Sequence, residues 1–428
     1  MKRIAIIGAG ISGLTVGYEL EKSGFDVIVY EKEPLVGGRM STRVKNGFHF
    51  DIGADHLCNL YTQMQAYCRE FGIEWRKMLF DSYGIVKRHR VIPLTQGVGL
   101  LAKLRMAWFT KTVPPIQELF DLNSVSRNDG KNALQFSLPR VGREAYDYYV
   151  DGFTSAYQFH HADELSVAPL LAVLNSLKRD GPLWDLHRTK GGMIALPNAL
   201  AKHLNVKTST EVISISTTSA GAIVMFSDKS TQAFDAVIVT APAPLALKLL
   251  ANPTDETKTL LERARFATTI SVAFRVKKDL LPRKGVTWVP FVESPVISSY
   301  SNQAMKGDDC IVGEESLVSV WLHESAAREL ITKTDEEIAN AVRAELGRVT
   351  DWLPASSALT FHDLQRWDYA MPKFSLGHLK RVNAYLETQQ GKNRLYLCGD
   401  YMNALWTEGA LRYGQALAKR LKIDLDNA

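Results

Sequence analysis

Cysteine is scarce in this chain: Cys58, Cys68, Cys310 and Cys398 are the whole supply, scattered over 428 residues. They form no CxxC pair and no zinc-like spacing, which argues against a disulfide-stapled secreted scaffold and a cysteine-held metal. Reduced structural thiols in a cytoplasmic protein are the expectation. Long apolar runs are missing too. None approaches the roughly 20 residues that a membrane-spanning helix needs. The short apolar stretch at the N-terminus reads as a first strand and not as a signal peptide. Charge of one sign is also lacking. Lys and Arg number 51 against 46 Asp and Glu, and no basic tract is long enough to argue for nucleic acid. Repeats and low-complexity segments are absent. His160-His161 has no third or fourth ligand at a telling spacing, so no metal is expected. No serine or cysteine sits in a nucleophile motif.

Apolar residues make up 46% and charged residues 23%, the balance of a globular protein. The chain is too long for one ordinary core, so two domains are expected. Its most informative stretch runs from Met1 to Met40. Lys2 to Ile7 is a short buried strand, followed directly by Gly8-Ala9-Gly10-Ile11-Ser12-Gly13. Leu14 to Ser23 reads as a helix, Gly24 ends it, and Asp26 to Tyr30 is a second strand closed by Glu31. This is a βαβ unit with a dinucleotide fingerprint in its required context. Gly8 permits the tight turn, Gly10 the approach of a pyrophosphate, and Gly13 close helix–strand packing. The anion then sits on unpaired helix N–H groups. Glu31 is placed to accept from an adenosine ribose. Ser12, inside the fingerprint, and Lys32, next to Glu31, complete this candidate cofactor-binding set. By itself the fingerprint suits NAD as well as FAD.

Two further glycine turns follow: Gly37-Gly38-Arg39-Met40, and Asp51-Ile52-Gly53-Ala54-Asp55. Gly38 can admit a second close backbone approach, and Arg39 can add charge to a phosphate or flavin edge. Here the residues resemble the flavin-dependent amine oxidoreductase superfamily, which includes monoamine oxidase, protoporphyrinogen oxidase and the carotenoid desaturases. The resemblance implies FAD, and places Gly38, Arg39, Met40, Gly53, Ala54 and Asp55 beside it.

The remaining chain reads as two excursions from a nucleotide domain. Residues 60–75 look helical, and residues 76–190 lack strong strand alternation and carry helical candidates. Within them, Gly99 to Phe109 is basic and apolar together. It reads first as a buried helix with solvated Lys and Arg tips, and second as a membrane-surface helix. Gly191-Gly192-Met193 with Leu196-Pro197 resembles a protoporphyrinogen oxidase segment that returns the chain to the FAD domain. Glu211–Ile215 and Ala222–Phe226 then read as a hairpin pair, and Phe234–Thr240 as a buried strand. The resemblance puts Val212 at the adenine. Ile270–Val276 and Leu317–Leu322 alternate like strands, and Thr334 to Glu337 is a capping box opening a helix whose Ile338, Val342 and Leu346 share a face.

The expected fold is therefore α/β, a Rossmann-like FAD-binding domain of amine-oxidase type with an inserted α+β substrate domain. Residues 1–75, 190–245 and 385–428 belong to the first. Residues 76–189, largely helical, and 246–384 belong to the second.

Near the C-terminus, Asn393 to Asp400 reads as a buried strand ending in Gly399 and Asp400. A helix begins at Trp406-Thr407-Glu408-Gly409-Ala410, after an irregular stretch from Tyr401 to Leu405. A strand end, an acid and a helix N-terminus form a second anion-friendly device. In the family, the matching Gly399, Asp400, Thr407 and Ala410 face the ribityl chain, the pyrophosphate and the flavin edge. Phe374 and Trp406 fall where monoamine oxidases place two substrate-guiding tyrosines; core aromatics are the alternative.

Three departures narrow the reaction. The lysine of amine oxidases should fall near Ile270 and is absent. The cysteine that tethers flavin in monoamine oxidase should fall close to Phe374 and is absent, so FAD is expected to be non-covalent. The usual C-terminal pattern of protoporphyrinogen oxidases is replaced by Trp-Thr-Glu-Gly-Ala-Leu. Trp367, Ala370, Met371, Pro372, Phe374, Gly377 and His378 nevertheless follow the protoporphyrinogen oxidase layout. That resemblance implies hydride removal from a bulky, largely apolar small molecule, with oxygen or a quinone as acceptor. An amine or amino-acid oxidase, a carotenoid-desaturase-like enzyme and a non-redox flavoprotein isomerase or binding subunit stay open. So do peripheral membrane contact and the oligomer. His378 and Lys373 are candidate acid–base groups, with structural roles as the alternative.

Overall fold

The computed structural model describes residues 1–181, 184–403 and 406–426. Ala404 and Leu405 of the irregular stretch, and Asn427 and Ala428 at the end of the last expected nucleotide segment, lie outside the described residues.

Strand Arg3–Ile7 is apolar along nearly its whole length because both its faces are covered; Ile4, Ala5 and Ile6 have no exposed surface. It pairs in parallel with Asp26–Tyr30 on one side and Ala236–Val239 on the other. Asn205–Lys207 and Leu395–Leu397 extend the two edges, again in parallel. A five-stranded parallel sheet results, its strands drawn from three stretches far apart in sequence. Parallel sheets are buried on both faces, hence the continuous rather than alternating apolar runs.

The second large sheet is mixed and eight-stranded. Thr360–Lys373, Arg265–Lys277, Glu315–Leu322, Ile297–Asn302 and Lys284–Trp288 follow one another across it, Ser82–Lys87 and Arg90–Pro93 close it, and the short Ile311–Val312 pairs with Glu315–Leu322. Ile270, Val272 and Phe274 turn to one face, where they pack with Ile338, Val342 and Leu346 of helix Asp335–Val349. Alternation sends Thr269 the other way, to the cavity described below. This α/β architecture, with one Rossmann-like parallel sheet and one large mixed sheet, agrees with the fold class read from the sequence.

One local expectation fails, and one stretch holds strands that went unread. Beside its many helices, the stretch 76–190 contains strands at Ser82–Lys87, Arg90–Pro93 and Leu186–Thr189. Ser82–Lys87 is buried on both faces through its middle, so it has no polar side to alternate with. It forms a local hairpin with Arg90–Pro93, and its other, parallel partner, Lys284–Trp288, is some two hundred residues away, a tertiary pairing that no local pattern announces. Helix Leu100–Thr112 is not a buried helix: only Ala102 and Phe109 are buried. Among the described residues no helix is long and apolar enough to cross a membrane.

The capping box forms as expected. Thr334 Oγ1 accepts from Glu337 N at 3.3 Å, and Glu337 Oε2 accepts from Thr334 N at 2.8 Å. Thr334→Ala should cost about 1 kcal/mol of helix stability, seen as faster amide exchange in the first turn of Asp335–Val349 while the parallel sheet keeps its protection.

Candidate active site

The first strand delivers the chain into a turn whose geometry leaves little choice of residue. Gly8 has φ +110°, and a Cβ there would lie 2.5 Å from Thr240 Oγ1. That hydroxyl donates to the carbonyls of Ile7 and Gly8, both at 2.9 Å, and ties the turn to the strand next door. A Cβ on Gly13 would sit 2.2 Å from the Gly8 carbonyl oxygen, so helix Ile11–Lys22 can pack this closely only through glycine. Gly10 differs: a Cβ there would meet nothing within 4 Å. It is the N-cap of the helix, with no side chain capping the first N–H groups, and it opens onto a cavity of about 780 Å³.

That cavity gathers most of the residues picked out in sequence. Gly8, Gly10, Ser12, Glu31, Lys32, Gly38, Arg39, Met40, Gly53, Ala54, Asp55, Val212, Asp400, Trp406, Thr407 and Ala410 all line it. Gly13 and Gly399 do not; they shape the turns behind it. Glu31 is anchored by accepting from Ala9 N at 2.8 Å and Glu33 N at 3.0 Å. Arg39 donates to Asp400 Oδ2 at 2.6 Å and to the Ala370 carbonyl at 2.9 Å. The second oxygen of Asp400 is buried without a partner, although buried acceptors are nearly always satisfied. An uncapped helix N-terminus, open space at Gly10, an anchored acid and an orphaned carboxylate oxygen fit an adenine dinucleotide with a polyol chain.

Aromatic rings form another part of the wall. Trp406 has φ +65°, unusual for a bulky residue, and stands edge-on to Trp184 at 5.3 Å and to Phe153 at 6.4 Å. Tyr157 packs on Phe153 and Trp288, and His56 on Tyr157 at 5.7 Å. Phe374 is not part of this wall. It is only 1% exposed and packs in the core against His378 at 5.9 Å. The strand before it ends at Lys373, which is pinned to Glu164 and Glu324, and Tyr369, Ala370 and Met371 reach the cavity instead. Lys373 and His378 are thus structural, the latter contacting the Tyr401 carbonyl through Nε2 at 2.8 Å. Where an amine oxidase lysine is expected, the cavity is faced by Thr269, whose hydroxyl donates to the Leu322 carbonyl at 2.7 Å. His161 Nδ1 lies 3.0 Å from Asp151. Among the described residues no His, Cys, Asp or Glu cluster could hold a metal ion.

Two charged groups were not legible in the sequence. Glu408 turns away from the cavity and accepts from Gln63 N at 2.9 Å and Met64 N at 3.0 Å, capping helix Thr62–Glu70. Lys306 has no exposed side-chain surface and bridges Asp51 and Asp55, both at 2.8 Å. Asp51 also accepts from Thr42 Oγ1 and Met193 N, and Asp55 from Gln303 Nε2. Three separate chain segments meet at this cluster. Burial by itself would raise the Asp55 carboxyl, but the charge of Lys306 and the hydrogen bonds of His56 and Lys306 outweigh it and hold the group well below the usual carboxylate range. Nothing in the local sequence pairs Lys306 with aspartates some 250 residues earlier.

Lys306→Met would leave two buried carboxylates without their cation and should cost about 3–5 kcal/mol, read as a lowered denaturation midpoint. A depressed folded pKa stabilises the protein above the unfolded value of about 3.9 and loses that contribution as pH falls below it. Asp55→Asn should therefore flatten the loss of stability between pH 4 and pH 2, as followed by thermal melts.

Residues 11–422 match the model of the family described as flavin containing amine oxidoreductase. A coproporphyrinogen III oxidase of Staphylococcus aureus is 20% identical over 99% of this chain and 100% of its own length. A solved structure of putrescine oxidase, wild type bound to putrescine, superimposes with TM-score 0.78 at 17% identity over 99% of both chains. A CLA-producing fatty acid isomerase from P. acnes does so with TM-score 0.76 at 18% identity over 98% of both. At such identities the two structures speak for the fold alone. The family match spans nearly the whole chain and ends the choice left open by the fingerprint: this protein is an oxidoreductase of the flavin-containing amine oxidoreductase family.

Proposed function

We propose that the protein holds FAD without a covalent tether and uses it to oxidise a bulky, largely apolar small molecule of the porphyrinogen class. The observation that carries this reading is a single cavity joining the Gly10 cradle to an aromatic wall, with no lysine where amine oxidases are expected to place one. The full-length likeness to a coproporphyrinogen III oxidase supports the substrate class. Bound FAD supplies the two-electron acceptor, and oxygen or a quinone is the final sink.

In this reading the chain's own residues position, desolvate and balance charge. The N–H groups of helix Ile11–Lys22 take the pyrophosphate, Glu31 accepts from the ribose, and Val212 packs by the adenine. The orphaned oxygen of Asp400 accepts from a polyol hydroxyl, while Arg39 holds its other oxygen in place. Lys32, Ser12, Gly38, Met40, Gly53, Ala54, Thr407 and Ala410 complete the cofactor wall. Trp406, Trp184 and Tyr157 give flat apolar faces against which a large ring stacks and from which water is excluded. Asp55 is kept ionised beside them by Lys306. It can stabilise positive charge that develops on a nitrogen as the neighbouring C–H gives up hydride. Of the thiols, Cys58 reaches the cavity, on a different segment from the expected tether position.

The test is anaerobic addition of coproporphyrinogen III, protoporphyrinogen and simple amines to the flavin-loaded protein, followed by absorbance. Bleaching of the flavin bands by a porphyrinogen is the expected result; bleaching by amines alone would replace this function with an amine oxidase. Gly10→Val should fold, since its side chain enters open space, yet lose FAD retention. Trp406→Ala should retain FAD and lower turnover by about tenfold or more, on the scale of misplaced substrate, as measured by steady-state kinetics.

A further inference from the structure

Helix Leu100–Thr112 carries its apolar residues on the wrong side for a core element. Leu100, Leu101, Leu104 and Trp108 are 74%, 64%, 60% and 59% exposed. They are four of the twelve large hydrophobic residues exposed among the described residues, concentrated within nine positions. At 100° per residue, Leu100, Leu104 and Trp108 share one stripe, with Ala107 and Lys111 on the same side. The opposite face holds Ala102 and Phe109, which are buried, and Phe109 meets Phe136 at 5.9 Å. The helix is therefore already anchored to the protein by its other side, and the leucine–tryptophan stripe is surplus to the core. Such a contiguous apolar surface marks an interaction site.

Charge identifies the partner. From Ser82 to Gln117 there is no Asp or Glu, while Arg88, Arg90, Lys103, Arg105 and Lys111 are present beside Lys87, which is paired with Glu144 at 3.0 Å. On the helix itself Lys103 and Arg105 flank the stripe and Lys111 continues it. Lys178 and Arg179 on the neighbouring helix donate to the carbonyls of Lys111 and Gln117, which brings two more cations to the helix's C-terminal end. Apolar residues projecting outward beside Lys103, Arg105 and Lys111, on a helix that carries no acid, suit an anionic lipid surface, where the leucines and tryptophan enter the acyl boundary and the lysines and arginines meet phosphates. We infer that the face formed by Leu100, Leu104, Trp108 and Lys111 docks the protein peripherally on anionic membranes. This does not depend on which molecule the cavity oxidises.

The test is flotation of the full-length protein with phosphatidylcholine vesicles, with and without one-third phosphatidylglycerol, alongside sedimentation velocity without lipid. Wild type should float with the anionic vesicles and much less with the neutral ones, and high salt should weaken the binding. Leu104→Glu/Trp108→Glu should reduce binding at least tenfold while leaving the flavin spectrum and melting temperature unchanged. Lys103→Glu/Lys111→Glu should abolish the preference for anionic vesicles, since each cation near such a surface contributes roughly fivefold. Wild type that ignores both vesicle types, or Leu104→Glu/Trp108→Glu that floats like wild type, would overturn the inference. So would a lipid-free dimer that becomes monomeric in Leu104→Glu/Trp108→Glu, because a second copy would then cover the stripe.

Discussion

The approach of Gly13 to the carbonyl of Gly8 is the constraint on which the molecule depends. With a Cβ only 2.2 Å from that oxygen, any side chain at residue 13 would push helix Ile11–Lys22 off the first strand. The helix N-terminus would then no longer point its uncapped N–H groups into the cavity. Thr240, just past strand Ala236–Val239, reinforces the same turn by sharing its one hydroxyl proton between the carbonyls of Ile7 and Gly8. The anion cradle is thus built by two chain segments far apart in sequence, and it stays open at Gly10, where a side chain would meet nothing.

A second clamp sets the substrate side. Lys306 reaches from the large mixed sheet into the glycine turn of Asp51–Asp55 and balances one of its two carboxylate charges. Asp51 passes the restraint to Thr42 and to Met193 of the Gly-Gly-Met turn. A fully buried cation between two buried carboxylates adds little net stability over an apolar cluster, but breaking it is costly. Its effect here is positional: it fixes where Asp55 stands in the cavity wall and links the two sheets at the site.

How much of this was legible depended on the range of the forces involved. The βαβ unit was readable because its turn, helix and strands lie within forty residues and each glycine answers a local steric demand. The helix of Ile338, Val342 and Leu346 was readable because its cap and its stripe are both local. Strand Ser82–Lys87 was not, because burial through its middle erases alternation; of its two partners only Lys284–Trp288 lies two hundred residues on, while Arg90–Pro93 is a hairpin neighbour. Phe374 was misplaced by motif spacing: the strand before it bends at the pinned Lys373, and Ala370 and Met371 reach the cavity in its stead. Lys306 carried no local signal, since its partners are distant carboxylates; Glu408 has a helical-turn partner in Arg412, but the backbone groups it caps are distant. The helix at Leu100–Thr112 had the composition of a buried element, and only its packed side revealed which face was left over.

A non-covalent adenine dinucleotide in the Gly10 cradle underlies every role assigned to the cavity, and one measurement addresses it directly. The purified protein, reconstituted with FAD and freed of excess, is precipitated with acid and its supernatant is analysed for flavin. One FAD released per chain, with none left on the precipitate, is the predicted result. Flavin retained by the precipitate, or a protein that takes up no FAD at all, would contradict it.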